Sequence, residues 1–169
     1  MDDVSVTSGP CAFYSRGSGT PSDAIWSDTP TGTAGLASFT ALTNMVVQNG
    51  DVITNNSNTD VKDLLVETGG TFIINGATTI TTHGTTVDID GTLTADDNST
   101  LAVAGSSAAT ISTTGSQSFY DLTIDNSAGA TLSGSAVIRN TLLLEDGAFN
   151  ADSGQVLLPS NATSTGRLG

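Results

Sequence analysis

Charge is scarce in this chain and nearly all of one sign. Only 12% of its 169 residues are charged, with 4 Lys and Arg against 17 Asp and Glu, for a formal net charge of -13. An ordinary globular protein carries about 25% charged residues. Phosphate binding needs basic residues, so nucleic acid is excluded as a partner and an anionic membrane surface is disfavoured. Cysteine is limited to Cys11, which permits no internal disulfide and no cysteine-based metal cluster. No apolar run approaches the ~20 residues that span a bilayer. Stretches of 3.6-residue period rich in Leu, Glu and Lys are missing too, which excludes helical bundles and coiled coils. The opening MDDVSVTSGP has neither the basic nor the apolar region of a signal peptide. With so much Asp and so little Lys, the chain is read as a mature or recombinant form of an extracellular or cell-surface protein.

Ser and Thr fill the gap, together well over a quarter of the chain, alongside 19 Gly. Thr favours strands, so the composition points to an all-β protein. Two zones are expected. Residues 1–50 are irregular and hold Phe13, Tyr14, Trp26, Phe39 and three of the four prolines, as a cap would. Residues 51–169 are monotonous, with short alternating runs broken by Gly, Asn, Asp and Ser, the pattern of short strands joined by turns.

This second zone repeats. Phe72, Leu93, Ile111 and Leu132, each preceded by Thr, are spaced 21, 18 and 21 residues apart. A looser series runs through Leu64, Val87 or Ile89, Leu101, Leu122 and Leu142. A beat of about 20 residues with several strands per repeat predicts a stacked coil architecture. Alternation turns Leu93, Ile111, Leu122, Ile124, Leu132 and Leu142 inward as core and leaves Thr, Ser and Asp outside. The expected fold is an all-β, single-stranded right-handed β-solenoid, a parallel β-helix. A β-sandwich is the competing architecture, but it calls for longer strands, more core aromatics and no fixed beat.

The stretch GSQSFYDLTIDNSAGATLSGSAVIRNTLLLEDGAFNADSGQVLLPS, residues 115–160, resembles the solenoid repeats of large secreted surface proteins of Bacteroidetes. Phe119, Leu122, Ile124 and Asn126 match one repeat strand, Gly129 and Leu132 the next, and Leu142, Leu144 and Gly147 the closing coil. Residues 13–32 are similar to the leader of such repeats, except that Trp26 stands alone where a tryptophan pair is usual. The resemblance implies a surface-exposed, adhesin-like module with no catalytic residue.

Chemistry-bearing residues are few. His83 precedes Gly84 at a turn and reads as a surface side chain rather than a base, with no G-x-S-x-G motif beside it. Cys11, beside Phe13 and Tyr14, reads as a packing residue. Asp88, Asp90, Asp96 and Asp97 cluster in VDIDGTLTADDNST and form the candidate metal site, an oxygen-rich loop for calcium; the alternative is a solvated acidic coil edge. A polysaccharide-active enzyme is third in order, because aromatics are 5% of the chain and Arg139 is the one basic residue between Lys62 and Arg167.

Thr92 and Thr94, Thr110 and Ser112, and Thr131 and Ser133 are expected to stack into one outward hydroxyl ladder, a surface suited to ice, to surface glycans or to a neighbouring molecule. Sequons occur at Asn55, Asn98 and Asn161. After Val156, Leu157 and Leu158 no polar closing segment follows, so the expected partners are further coils or other copies of the chain stacked end to end.

Overall fold

A computed structural model describes residues 12–152, 154–161, 164–165 and 167–169; Cys11 lies outside them. Every regular element among the described residues is a strand. Strands β1 (Ala12–Ser15) and β2 (Trp26–Ser27) come first. Three strands then make each coil: β3 (Asn44–Val47), β4 (Val52–Asn55) and β5 (Thr59–Val61), then β6 (Leu64–Val66), β7 (Thr71–Ile74) and β8 (Thr79–Thr82). The third coil is β9 (Thr86–Ile89), β10 (Thr92–Ala95) and β11 (Thr100–Gly105). Each of the next two coils is nearly one continuous bent strand, β12 (Ala109–Asn126) and β13 (Ala130–Asp146). The chain finishes with β14 (Phe149–Ala151), β15 (Gln155–Leu157), β16 (Ser160–Asn161), β17 (Ser164–Thr165) and β18 (Arg167–Leu168).

Apart from the antiparallel pairs β1–β2 and β16–β17, the strands pair in parallel with those one coil away, giving a β-solenoid of about 5 turns with three faces. The first face stacks β1, β3, β6, β9, the start of β12, the start of β13 and β14. The second stacks β4, β7, β10, the middle of β12, the middle of β13 and β15. The third stacks β5, β8, β11, the ends of β12 and β13, and β18. The long β12 and β13 turn their corners at three register shifts. The coil is therefore three-sided, a detail that the ~20-residue beat leaves open.

Alternation drives the core. On the first face Met45, Leu64, Val87, Ile111 and Leu132 align in register and are almost fully buried. On the third face Ile80, Leu101, Leu122 and Leu142 do the same. All six residues expected in the core are buried, from Leu142 at 5% to Ile124 at 0% exposure. Full burial of each such side chain contributes roughly 1.5–3 kcal/mol, and the stacked neighbour supplies it. The corners are tight. A Cβ on Gly91 would overlap the carbonyl oxygen of Gly70, one coil away, so no larger residue fits there without a backbone shift.

Polar groups reach inward at two informative places. Gln117 is 8% exposed on the second face, where β10 meets β12 through the single pair Thr94 and Ser118. Its Oε1 accepts the Leu93 N–H at 3.1 Å, and its Nε2 donates to the carbonyls of Gly91 and Thr114, each at 3.1 Å. The side-chain amide thus replaces ladder bonds that the backbone does not make there. Asn126, fully buried, works similarly at the corner after the third face, donating to the carbonyls of Ala104 and Ser107 and accepting from the Ala128 N–H.

Within the first fifty residues, β1 and β3 join the first face and residues 16–43 form an excursion between them. β2 pairs antiparallel with the outer edge of β1. Trp26 is 1% exposed, its ring 4.8 Å from Phe39 in an edge-to-face contact, and Phe39 stands 5.5 Å from Phe13. The indole N–H donates to the Thr20 carbonyl. This aromatic group packs against the solenoid core and closes its N-terminal end.

Candidate functional site

The four aspartates expected to form one oxygen-rich loop are distributed over two corners. Asp88 points outward from β9 between Leu65 and Ser112 of the adjacent coils. Asp90 sits at the corner after β9 and accepts the Thr114 hydroxyl at 2.7 Å. All of β10 intervenes before Asp96 and Asp97, which occupy the following corner, across the second face. There Asp97 pairs with the Arg139 guanidinium at 2.7 Å. Arg139 also lies over the Tyr120 ring, at 5.2 Å, and donates to the Ala95 carbonyl. Among the described residues no three His, Cys, Asp or Glu side chains gather to hold a metal ion. Asp88 and Asp90 are too few for a calcium shell of 6–8 oxygens without other ligands. Partial burial, and then the neighbouring Asp90 charge, push the Asp88 carboxyl above its ordinary range.

His83 stands at the turn after β8, half-buried as a side chain, and its Nε2 lies 2.7 Å from Oδ1 of Asp60 in the preceding coil. The turn position is the one expected, whereas the pairing was not legible: the two residues are 23 positions apart, about one coil. Shallow recesses mark the surface. One, of about 310 Å³, is lined by Arg16, Gln48, Asn49, Asp51 and Glu67. Another, of about 320 Å³, lies on the third face around Thr100, Asp121, Thr123 and Asn140. In the first, Asp51 is already engaged by the Ser15 hydroxyl at 2.6 Å and the Gly17 N–H at 3.2 Å.

The expected hydroxyl ladder is also divided. Thr92 pairs with Thr71 on the second face, while Thr110 pairs with Thr86 and Thr131 on the first. The 18-residue step from Leu93 to Ile111 passes from one face to another, so it is not a coil. What the structure assembles instead is the outward side of the second face. One column runs through Thr54, Ile73, Thr94, Ser118, Val137 and Leu157. The column beside it begins with Val52, Thr71 and Thr92 and ends with Ser135 and Gln155. Among the described residues, no outward position in these two columns is charged. By contrast the first face carries Asp88 and the third Asp60 and Asp121.

Of the three sequons, Asn55 is fully buried, which denies that amide to a glycosyl transfer in the folded chain. Asn98 is exposed in a left-handed turn, at φ 68°. Asn161 lies in β16.

No family model matches the chain, and no curated protein or solved structure is similar enough to count as a match.

Proposed function

We propose that this chain is a non-catalytic extracellular structural module that assembles end to end with other copies of itself, giving an adhesive surface filament. One observation carries the reading. Among the described residues, the large hydrophobics that are exposed lie at the two ends of the stack. Leu36 at 75%, Leu42 at 79% and Val52 at 39% belong to the cap and first coil; Leu144 at 42%, Leu157 at 56% and Leu168 at 66% belong to the last turns. The coils between them present none.

Leu168 is informative because it continues the inward column of Leu101, Leu122 and Leu142. Its orientation is that of a core residue awaiting a neighbour. A coil stacked upon it would cover Leu168 and the half-buried Val156 and add ladder hydrogen bonds to β14, β15 and β18. A head-to-tail contact of this kind repeats without closing and so builds a fibre. The extracellular setting rests on the acidic, Lys-poor composition and on the resemblance to secreted surface repeats.

Negative-stain electron microscopy with sedimentation velocity tests the proposal. The expected result is uniform fibres or a concentration-dependent series of rods. Leu157→Glu with Leu168→Glu should leave single short rods of unchanged circular dichroism. Wild-type protein that stays monomeric at every concentration overturns the reading.

A further inference from the structure

The outward side of the second face differs from the rest of the molecule in its electrostatics, and we infer that it is a docking surface for an uncharged polysaccharide lying flat across the coils. A chain with 17 acidic residues and a net charge of -13 leaves both outward columns of this face without a charge. Six strands contribute to it, so at the usual strand spacing it extends about 24 Å along the axis, with alternate outward side chains about 7 Å apart along each strand. Hydroxyls of Thr54, Thr92, Thr94 and Ser118 alternate with the apolar Ile73 and Val137.

The acids stand on its two long rims. Asp51 and Asp90 occupy the corner before the face, and Asp96 and Asp97 the corner after it, the last with Arg139 held against it. This distribution selects the occupant. An anionic partner is repelled by the molecule as a whole, and a cationic one is drawn to the rims or to the other two faces rather than to the neutral strip. A second copy packed face to face, with sheets about 10 Å apart, sets acidic rim against acidic rim within a screening length. A neutral sugar chain meets none of these penalties. Its hydroxyls exchange hydrogen bonds with Thr and Ser, which both donate and accept, and its C–H faces cover Ile73 and Val137. The surface shares only Val52 and Leu157 with the ends used in assembly, and the variants below change neither, so either proposal can fail alone.

The test is retention of the whole chain on microcrystalline cellulose and on chitin, at low and at high salt. Wild-type protein is expected to be retained by at least one of them, with no loss of binding in high salt. Thr94→Glu with Ser118→Glu should weaken retention by about tenfold or more, and Thr94→Lys should weaken it as well, because either charge must be desolvated against a neutral surface. Thr81→Glu with Thr123→Glu, on the third face, should bind like wild type. Melting curves identify any variant that fails to fold, and Thr94→Lys then stands in for the double variant. No retention of wild type on either solid overturns the inference, as does equal loss in the third-face variant. Retention that vanishes in salt overturns it too. Ice-recrystallisation inhibition confined to the second face, without polysaccharide retention, overturns it in favour of an ice lattice. A dimer broken by Thr94→Lys overturns it in favour of a second copy.

Discussion

At the N-terminal end of the stack Trp26, in β2, is 1% exposed beside β1 and the ring of Phe39, whereas at the opposite end Leu168 is 66% exposed. Trp26 belongs to the excursion that covers the first coil, and Leu168 to the last turn of the three-sided stack. The contrast shows that in a solenoid a side chain is not buried by its own strand. Leu122 and Leu168 share one inward column, yet the first has a coil on each side and is fully buried while the second has one. Stability in this architecture is a sum over neighbouring coils, and an end contributes only what covers it.

Substitutions can break or sharpen that contrast. The largest loss is expected from Trp26→Ala, which empties the aromatic closure and costs about 3–5 kcal/mol; denaturant unfolding should show a lowered midpoint. Leu122→Ala, in the middle of the stack, should cost about 2–5 kcal/mol in the same measurement. Gln117→Ala should cost about 1–3 kcal/mol, since it strips three hydrogen bonds from the backbone, the one from the Leu93 N–H being buried, and hydrogen exchange at Leu93 should quicken. Asp88→Asn has a smaller effect with a defined sign. A carboxyl raised in the folded state binds its proton more tightly there than in the unfolded chain. Its contribution to stability is therefore greatest when protonated and falls as pH rises from the ordinary aspartate range through the raised one. Asp88→Asn should flatten that part of the profile in melts run from about pH 3 to about pH 7. Smallest of all, Leu168→Ala should change unfolding of the single subunit by less than ~0.5 kcal/mol. If it matches Leu122→Ala instead, burial follows from strand position and the comparison of the two ends fails.

Much of the fold was legible in the residues because alternation and turn chemistry are local signals. Leu122 and Ile124 announce an inward pair wherever they stand, and both are buried. The face to which a strand belongs is not local. Thr71-Phe72, Thr92-Leu93, Thr110-Ile111 and Thr131-Leu132 look alike, yet the first two lie on the second face and the last two on the first. True coil lengths vary too: Leu64, Val87, Ile111 and Leu132 are separated by 23, 24 and 21 residues. A fixed period of about 20 therefore drifts from face to face. The same blindness grouped Asp88 and Asp90 with Asp96 and Asp97, which are close in sequence but lie on opposite sides of β10. It also hid the uncharged face, whose members are interleaved with residues of the other two.

The parallel ladders have a mechanical corollary. Their hydrogen bonds run along the solenoid axis, so tension applied between the ends loads one rung at a time, as in a zipper, instead of shearing a whole strand pair at once. Each coil freed, such as the 21 residues from Leu101 to Leu122, would pay out about 70 Å of extended chain. Pulled from its ends, the protein would lengthen in steps of that size, yielding at modest force and absorbing work gradually.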